Sequence, residues 1–174
     1  MGHWQPKAST DMATAQVGSV AATGPVLFAY DGSELAAFAI EQAGRELATG
    51  REALVLCVWQ PADVGFVLTT ERQRHFDADQ APEVQRAAEE VAARGATLAD
   101  KAGFRSKSMA IEASPTWKGI TEMATEHKVS LIVMGSHRRR GLERYLLGSV
   151  AAAVVAHSEA SVLVVHPPSG PAAL

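Results

Sequence analysis

Cysteine is nearly absent from the sequence. Cys57 stands alone, so no intramolecular disulfide can form and no second thiol exists for a metal or redox pair. A single thiol inside an apolar run reads as a small core residue and fits a reducing cytoplasm. Long apolar stretches are missing too: none approaches the roughly 18 residues of a membrane-spanning helix. Even the apolar end of the chain is interrupted by His157, Ser158 and Glu159. Nor is there an excess of positive charge. Lys and Arg number 16 against 19 Asp and Glu, a net charge of −3, so any anion site has to be local rather than a property of the whole surface. The phosphate-loop pattern is absent, because Gly148 and Ser149 lack the lysine spacing it requires. The 6 histidines are scattered without metal-ligand spacing, which argues against a resident metal. The opening MGHWQPKASTDMATAQVGSV has neither the positive start nor the apolar core of a secretory signal, and Pro6 spoils a myristoylation match.

What is present is the composition of one globular domain. The 174 residues are 47% hydrophobic and 20% charged, enough apolar material for a sizeable core. Residues 1–23 and 169–174 are expected as tails around a domain of residues 24–168. Val26 to Tyr30 is a short apolar run closed by Asp31, Gly32 and Ser33, a buried strand β1 and its turn. Glu34 to Ala48 has helical apolar spacing, with Ser33 as cap and Gly50 past the end, giving α1. Ala53 to Trp59 is β2, stopped by Pro61. Residues 60–82 are long for a strand-to-helix connection and are expected to be mobile or partner-facing. An Ala-rich helix α2 runs from Pro82 to about Ala102, before Gly103. Phe104 to Glu112 is β3. Ser114 and Pro115 are expected as cap and first residue of α3, with Ile120, Met123 and Ala124 facing inward. Leu131 to Met134 is β4, Ser149 to Ala156 is α4, and Val162 to Val165 is β5.

Apolar strands alternating with helices imply an α/β fold, an open doubly wound five-stranded parallel sheet covered on both faces. In such sheets ligands bind beyond the carboxyl ends of the strands, where strand order reverses. For the order 3-2-1-4-5, the reversal sets AYDGS (29–33) opposite MGSHRRRGLERYLLGSV (134–150). Gly148 and Ser149 at the start of α4 offer unpaired backbone N–H groups and a helix dipole to an anion. Gly135 lets backbone approach that anion without a Cβ. Asp31 can accept from a ribose hydroxyl. Each residue alone reads more readily as an ordinary cap or turn residue, and only their convergence on one crevice points to a ligand.

From Val26 to Val165 the layout resembles the universal stress protein family, with a Rossmann-like fold related to the adenine nucleotide alpha hydrolases. The resemblance is strongest in LIVMGSHRRRGLERYLLGSV, residues 131–150, where Gly148 and Ser149 follow Gly135 at the spacing of the ATP-binding branch. AYDGSELAAFAIEQA is similar to the family's first strand, its Asp and its first helix, and ASVLVVHPP to its last strand. The resemblance implies ATP, with Mg²⁺ accompanying it. Tyr30 and Asp31 would then lie near ribose or adenine, Val58 would touch the base, and Met134, Gly135, Gly148, Ser149 and Val150 would surround the phosphates. The motif's middle glycine is Arg138 here. A left-handed backbone at that position would cost a non-glycine residue about 1–2 kcal/mol. An arginine beside a triphosphate gains about 1.5–3 kcal/mol per charge-assisted bond. Arg138 is therefore either a phosphate ligand or a plug.

The resulting expectation is a cytoplasmic, ATP-binding stress-response regulator that acts by nucleotide-dependent binding of partner proteins not identifiable from sequence. The alternatives are an ATP-independent interaction module of the same family, or a slow ATPase. Hydrolysis needs a positioned water and usually a base, and only phosphate-holding parts are visible. Nucleic acid is not expected as a partner, since Arg138–Arg140 is a short run without interleaved aromatics in an acidic chain. The strand at 162–165 would be a sheet edge, and a homodimer through it covers that edge. The family resemblance implies the same dimer.

Overall fold

The computed structural model of the chain describes residues 24–60, 81–136 and 147–166. The expected tails, most of the 60–82 connection and Arg138 lie outside the described residues. The elements are β1 (Val26–Ala29), α1 (Glu34–Glu46), β2 (Glu52–Trp59), α2 (Ala81–Lys101) and β3 (Arg105–Glu112), followed by α3 (Thr116–Glu126), β4 (Leu131–Gly135), α4 (Ser149–His157) and β5 (Ser161–Val165). The strands form one 5-stranded parallel sheet in the order β3-β2-β1-β4-β5, as the sequence implies.

Side chains alternate between the two faces of each strand, and helices cover both. Val26, Phe28, Val55 and Val133 pack with Ala39, Ile40 and Ala43 of α1 and Ala99 of α2. On the opposite face, Leu27, Leu54, Leu56 and Ile132 meet Ile120 and Ala124 of α3 and Ala151 and Val154 of α4. This double cover is why the central strands carry no polar alternation. Each fully buried Leu or Ile contributes roughly 1.5–3 kcal/mol of apolar burial.

Local chemistry sets the helix ends. Ser33 is extended, and its Oγ accepts the Ala36 N–H at 3.2 Å, which starts α1 directly after the β1 turn. At the end of α2, Gly103 takes a left-handed φ of 96° and the Phe104 N–H reaches back to the Ala99 carbonyl at 3.0 Å. The start of α3 differs from expectation. Pro115 keeps an extended ψ of 154° and is itself the cap residue, with no side-chain cap bond, so Ser114 does not cap the helix and Thr116 is its first residue. The amino end of the sheet is tied by Arg51, whose Nη2 donates to the Gly24 carbonyl at 3.1 Å and to Ser130 Oγ at 2.9 Å.

Register shapes the other end. Ala29 pairs with Leu56 and with Met134, and the Tyr30 N–H still donates to the Leu56 carbonyl at 2.9 Å. There β1 turns away, while β2 continues to Trp59 beside β3. The extra length of β2 forms one wall of a crevice at the point where strand order reverses.

Candidate functional site

A cavity of about 600 Å³ opens at the carboxyl ends of β1, β2 and β4, within the range of small-ligand sites. Eight residues singled out from the sequence line it together: Tyr30 and Asp31 from β1's end, Val58 from β2, Met134 and Gly135 from β4, and Gly148, Ser149 and Val150 from the start of α4.

The β4–α4 side is built for an anion. Gly148 caps α4 by position only, with no side-chain cap bond, so Ser149 is the first helical residue rather than the cap. Ala152 donates to the Gly148 carbonyl at 2.8 Å, closing the first turn. The N–H groups of Ser149, Val150 and Ala151 therefore precede the first intrahelical donor and have no acceptor within the helix, and these residues border the cavity at the positive end of the helix dipole. Ser136 aims this turn. Its side chain is buried, its Oγ accepts the Gly148 N–H at 3.2 Å, and its own N–H donates to the Val165 carbonyl at 3.1 Å. Ser136 thus links β4, β5 and α4, a role the sequence reading did not assign. Its signal is a hydroxyl residue directly after an apolar strand and a glycine.

Gly135 has a packing reason for lacking a Cβ. A Cβ there would lie 2.7 Å from the Leu35 carbonyl oxygen, so the glycine admits the first turn of α1 against β4. Gly148 has open space, its nearest neighbour to a Cβ being Ser136 Oγ at 3.9 Å.

At the centre, Asp31 is exposed and its Oδ1 accepts the Ser33 N–H at 2.9 Å. Gly32 completes the turn with a left-handed φ of 82°. Among the described lining residues Asp31 carries the only charged side chain, and its carboxylate suits hydroxyl donors better than phosphate. Tyr30 borders the cavity, but its ring packs beneath α2: a Cβ on Gly95 would sit 2.5 Å from Tyr30 Cδ1.

The β2 side is apolar, with Leu56, Val58 and Ile120 in the wall. Val58 adds a backbone feature. Leu56 turns its carbonyl toward β1 and Trp59 turns its carbonyl toward β3, accepting the Ala113 N–H at 3.1 Å. By strand alternation the Val58 N–H and C=O face the β1 side, where β1 has already ended. A donor and an acceptor are left side by side on an open strand edge. Thr116 and Ile120, from α3, also line the cavity and were not expected there. Among the described residues no cluster of three or more His, Cys, Asp or Glu could hold a metal ion, and no helix is long and apolar enough to cross a membrane.

Residues 23–166 match the sequence model of the Universal stress protein family. A 71-residue stretch is 41% identical to universal stress protein MJ0531 of Methanocaldococcus jannaschii, and the match spans 41% of this chain and 41% of that relative. Among solved structures, the hypothetical protein MJ0577 superposes with a TM-score of 0.67 at 24% identity, over 85% of this chain and 99% of that one. The universal stress protein from Archaeoglobus fulgidus in complex with dAMP superposes with a TM-score of 0.51 at 19% identity, over 81% of this chain and 96% of that one. At these identities the structural likeness bears on the fold.

Proposed function

The chain belongs to the universal stress protein family, and from that premise we propose that it is an ATP-binding member, a cytoplasmic homodimeric regulator whose output is nucleotide-dependent binding of partner proteins. The observation that carries this reading is the division of one cavity into two chemistries. First-turn N–H groups of α4 stand at one end, and an apolar wall with the open Val58 edge stands at the other. Phosphates suit the first. A flat base suits the second, and an adjacent N–H and C=O match the acceptor and amino donor on the Watson–Crick edge of adenine. Asp31 lies between, where ribose hydroxyls would donate to it. The dAMP complex of the Archaeoglobus fulgidus protein supports an adenine nucleotide as the ligand class. Mg²⁺ would arrive with the triphosphate, since phosphate oxygens are its usual partners and no metal-binding cluster is found among the described residues. Arg138, which lies between β4 and α4 in the sequence, would act as a phosphate ligand.

The test is calorimetric titration of ATP with Mg²⁺ into the full chain and into Arg138→Gly. Micromolar binding by the native chain, weakened in the variant, supports the reading. Binding only after glycine is restored makes Arg138 a plug and the chain an ATP-independent interaction module, the reading its departure from the motif favours. No binding by either protein overturns the nucleotide reading.

A further inference from the structure

At the phosphate end the described lining includes the polar side chains of Ser136 and Ser149, while at the β2 end, apart from the Val58 backbone edge, the described lining is almost entirely apolar. Leu56, Val58 and Ile120 present hydrocarbon, and Thr116 is the only residue with a polar side chain among the lining residues of β2 and α3. Its placement is specific. Gln60, the residue after β2, donates from Nε2 to Thr116 Oγ1 at 2.8 Å, joining the end of β2 to the first residue of α3.

A threonine hydroxyl carries one hydrogen and two acceptor lone pairs. With a lone pair taken by the Gln60 amide, the hydrogen is turned away from Gln60, and no described group accepts it. The hydroxyl is thus a donor at the apolar end of the cavity, opposite in kind to the hydrocarbon around it. In such surroundings a hydrogen bond discriminates sharply, because a ligand lacking the acceptor leaves the donor unpaired.

We propose that Thr116, oriented by Gln60, is a specificity-determining residue that donates a hydrogen bond to a ring nitrogen of a bound purine and so sorts purine from pyrimidine nucleotides. The inference rests on the nucleotide reading above. With the Val58 edge occupied by one side of the base, Thr116 is left for a nitrogen of its second ring system, which a pyrimidine lacks.

The test compares MgATP, MgCTP and inorganic triphosphate on the full chain, Thr116→Val and Thr116→Ser, with thermal unfolding run alongside. Valine keeps the shape and removes the hydroxyl, whereas serine keeps the hydroxyl. The expected result is an ATP affinity lowered roughly fivefold to tenfold in Thr116→Val, retained in Thr116→Ser, with CTP and inorganic triphosphate changed less than about twofold. Equal ATP affinity in the native chain and Thr116→Val overturns this inference and leaves the nucleotide reading standing. A parallel loss for all three ligands assigns Thr116 a structural role and also overturns it. Failure of the native chain to bind ATP removes the nucleotide reading and the inference together. If Thr116→Val does not fold, loss of ATP preference over CTP in Gln60→Leu is the expected result, and an unchanged preference overturns the proposal.

Discussion

Two glycines of the same motif answer to different constraints. A Cβ on Gly135 would press on backbone of α1 at 2.7 Å, whereas a Cβ on Gly148 would meet nothing closer than 3.9 Å. Gly135→Ala is therefore expected to cost about 1–3 kcal/mol of stability, the usual penalty of overpacking. Gly148→Ala should cost less than about 1 kcal/mol, yet weaken ATP at least tenfold by narrowing the phosphate end. Chemical denaturation and calorimetry on both variants separate the two effects. A Gly148→Ala protein with native ATP affinity would show that phosphate does not approach this turn. Asp31 is a mixed case, because its carboxylate also holds the Ser33 N–H at 2.9 Å. An Ala substitution there alters the turn as well as the charge.

Elements are held to one another by contacts that can be titrated. Asp100, in the last turn of α2, accepts from the Ser106 hydroxyl at 2.7 Å and the Ser106 N–H at 3.0 Å at the start of β3. The hydroxyl bond first, then the backbone bond, holds its carboxyl below the ordinary value of 3.8. A carboxyl depressed by folding adds stability above its unfolded value, and that stability is lost as pH falls through the folded value. Ser106→Ala should move the Asp100 carboxyl upward, toward the ordinary value, in an NMR titration; an unchanged titration would sink this assignment. The elements themselves were largely legible in the sequence, because the apolar runs at 26–30, 53–59 and 131–134 are bounded by turn residues. Ends were less legible. Pro115 reads as a first helical residue, yet it remains extended and passes that place to Thr116. The site was readable where it depended on loops directly after strands, as with Asp31 and Gly148. Thr116 and Ser136 were missed because their roles depend on neighbours distant in sequence: the Gln60–Thr116 bond spans 56 positions.

At the scale of the whole molecule, one side of the sheet looks unfinished. The sequence of α4, SVAAAVVAH, is apolar on every face, yet Ala152, Val155 and Ala156 are exposed, Val155 at 50%. A helix apolar all round is normally covered on all sides. Beside it β5 ends the sheet, and its strand alternation is informative. Val165 offers its carbonyl to the Ser136 N–H on the β4 side, so the Val164 N–H and C=O point to the open edge. A second copy related by a two-fold axis would pair this edge with itself and cover α4 at the same time, which is the geometry of the proposed homodimer. Two substitutions test the two parts of that surface. Val155→Glu places a charge on the exposed face of α4 and should change monomer stability by no more than about 0.5 kcal/mol. Val164→Pro removes an outward N–H, leaving the β4 ladder donors intact, a substitution that edge strands tolerate. Sedimentation equilibrium is expected to give a dimer for the native chain and a monomer for both variants. A native monomer removes the dimer from the proposed function, and a dimer that survives both substitutions moves the interface away from β5.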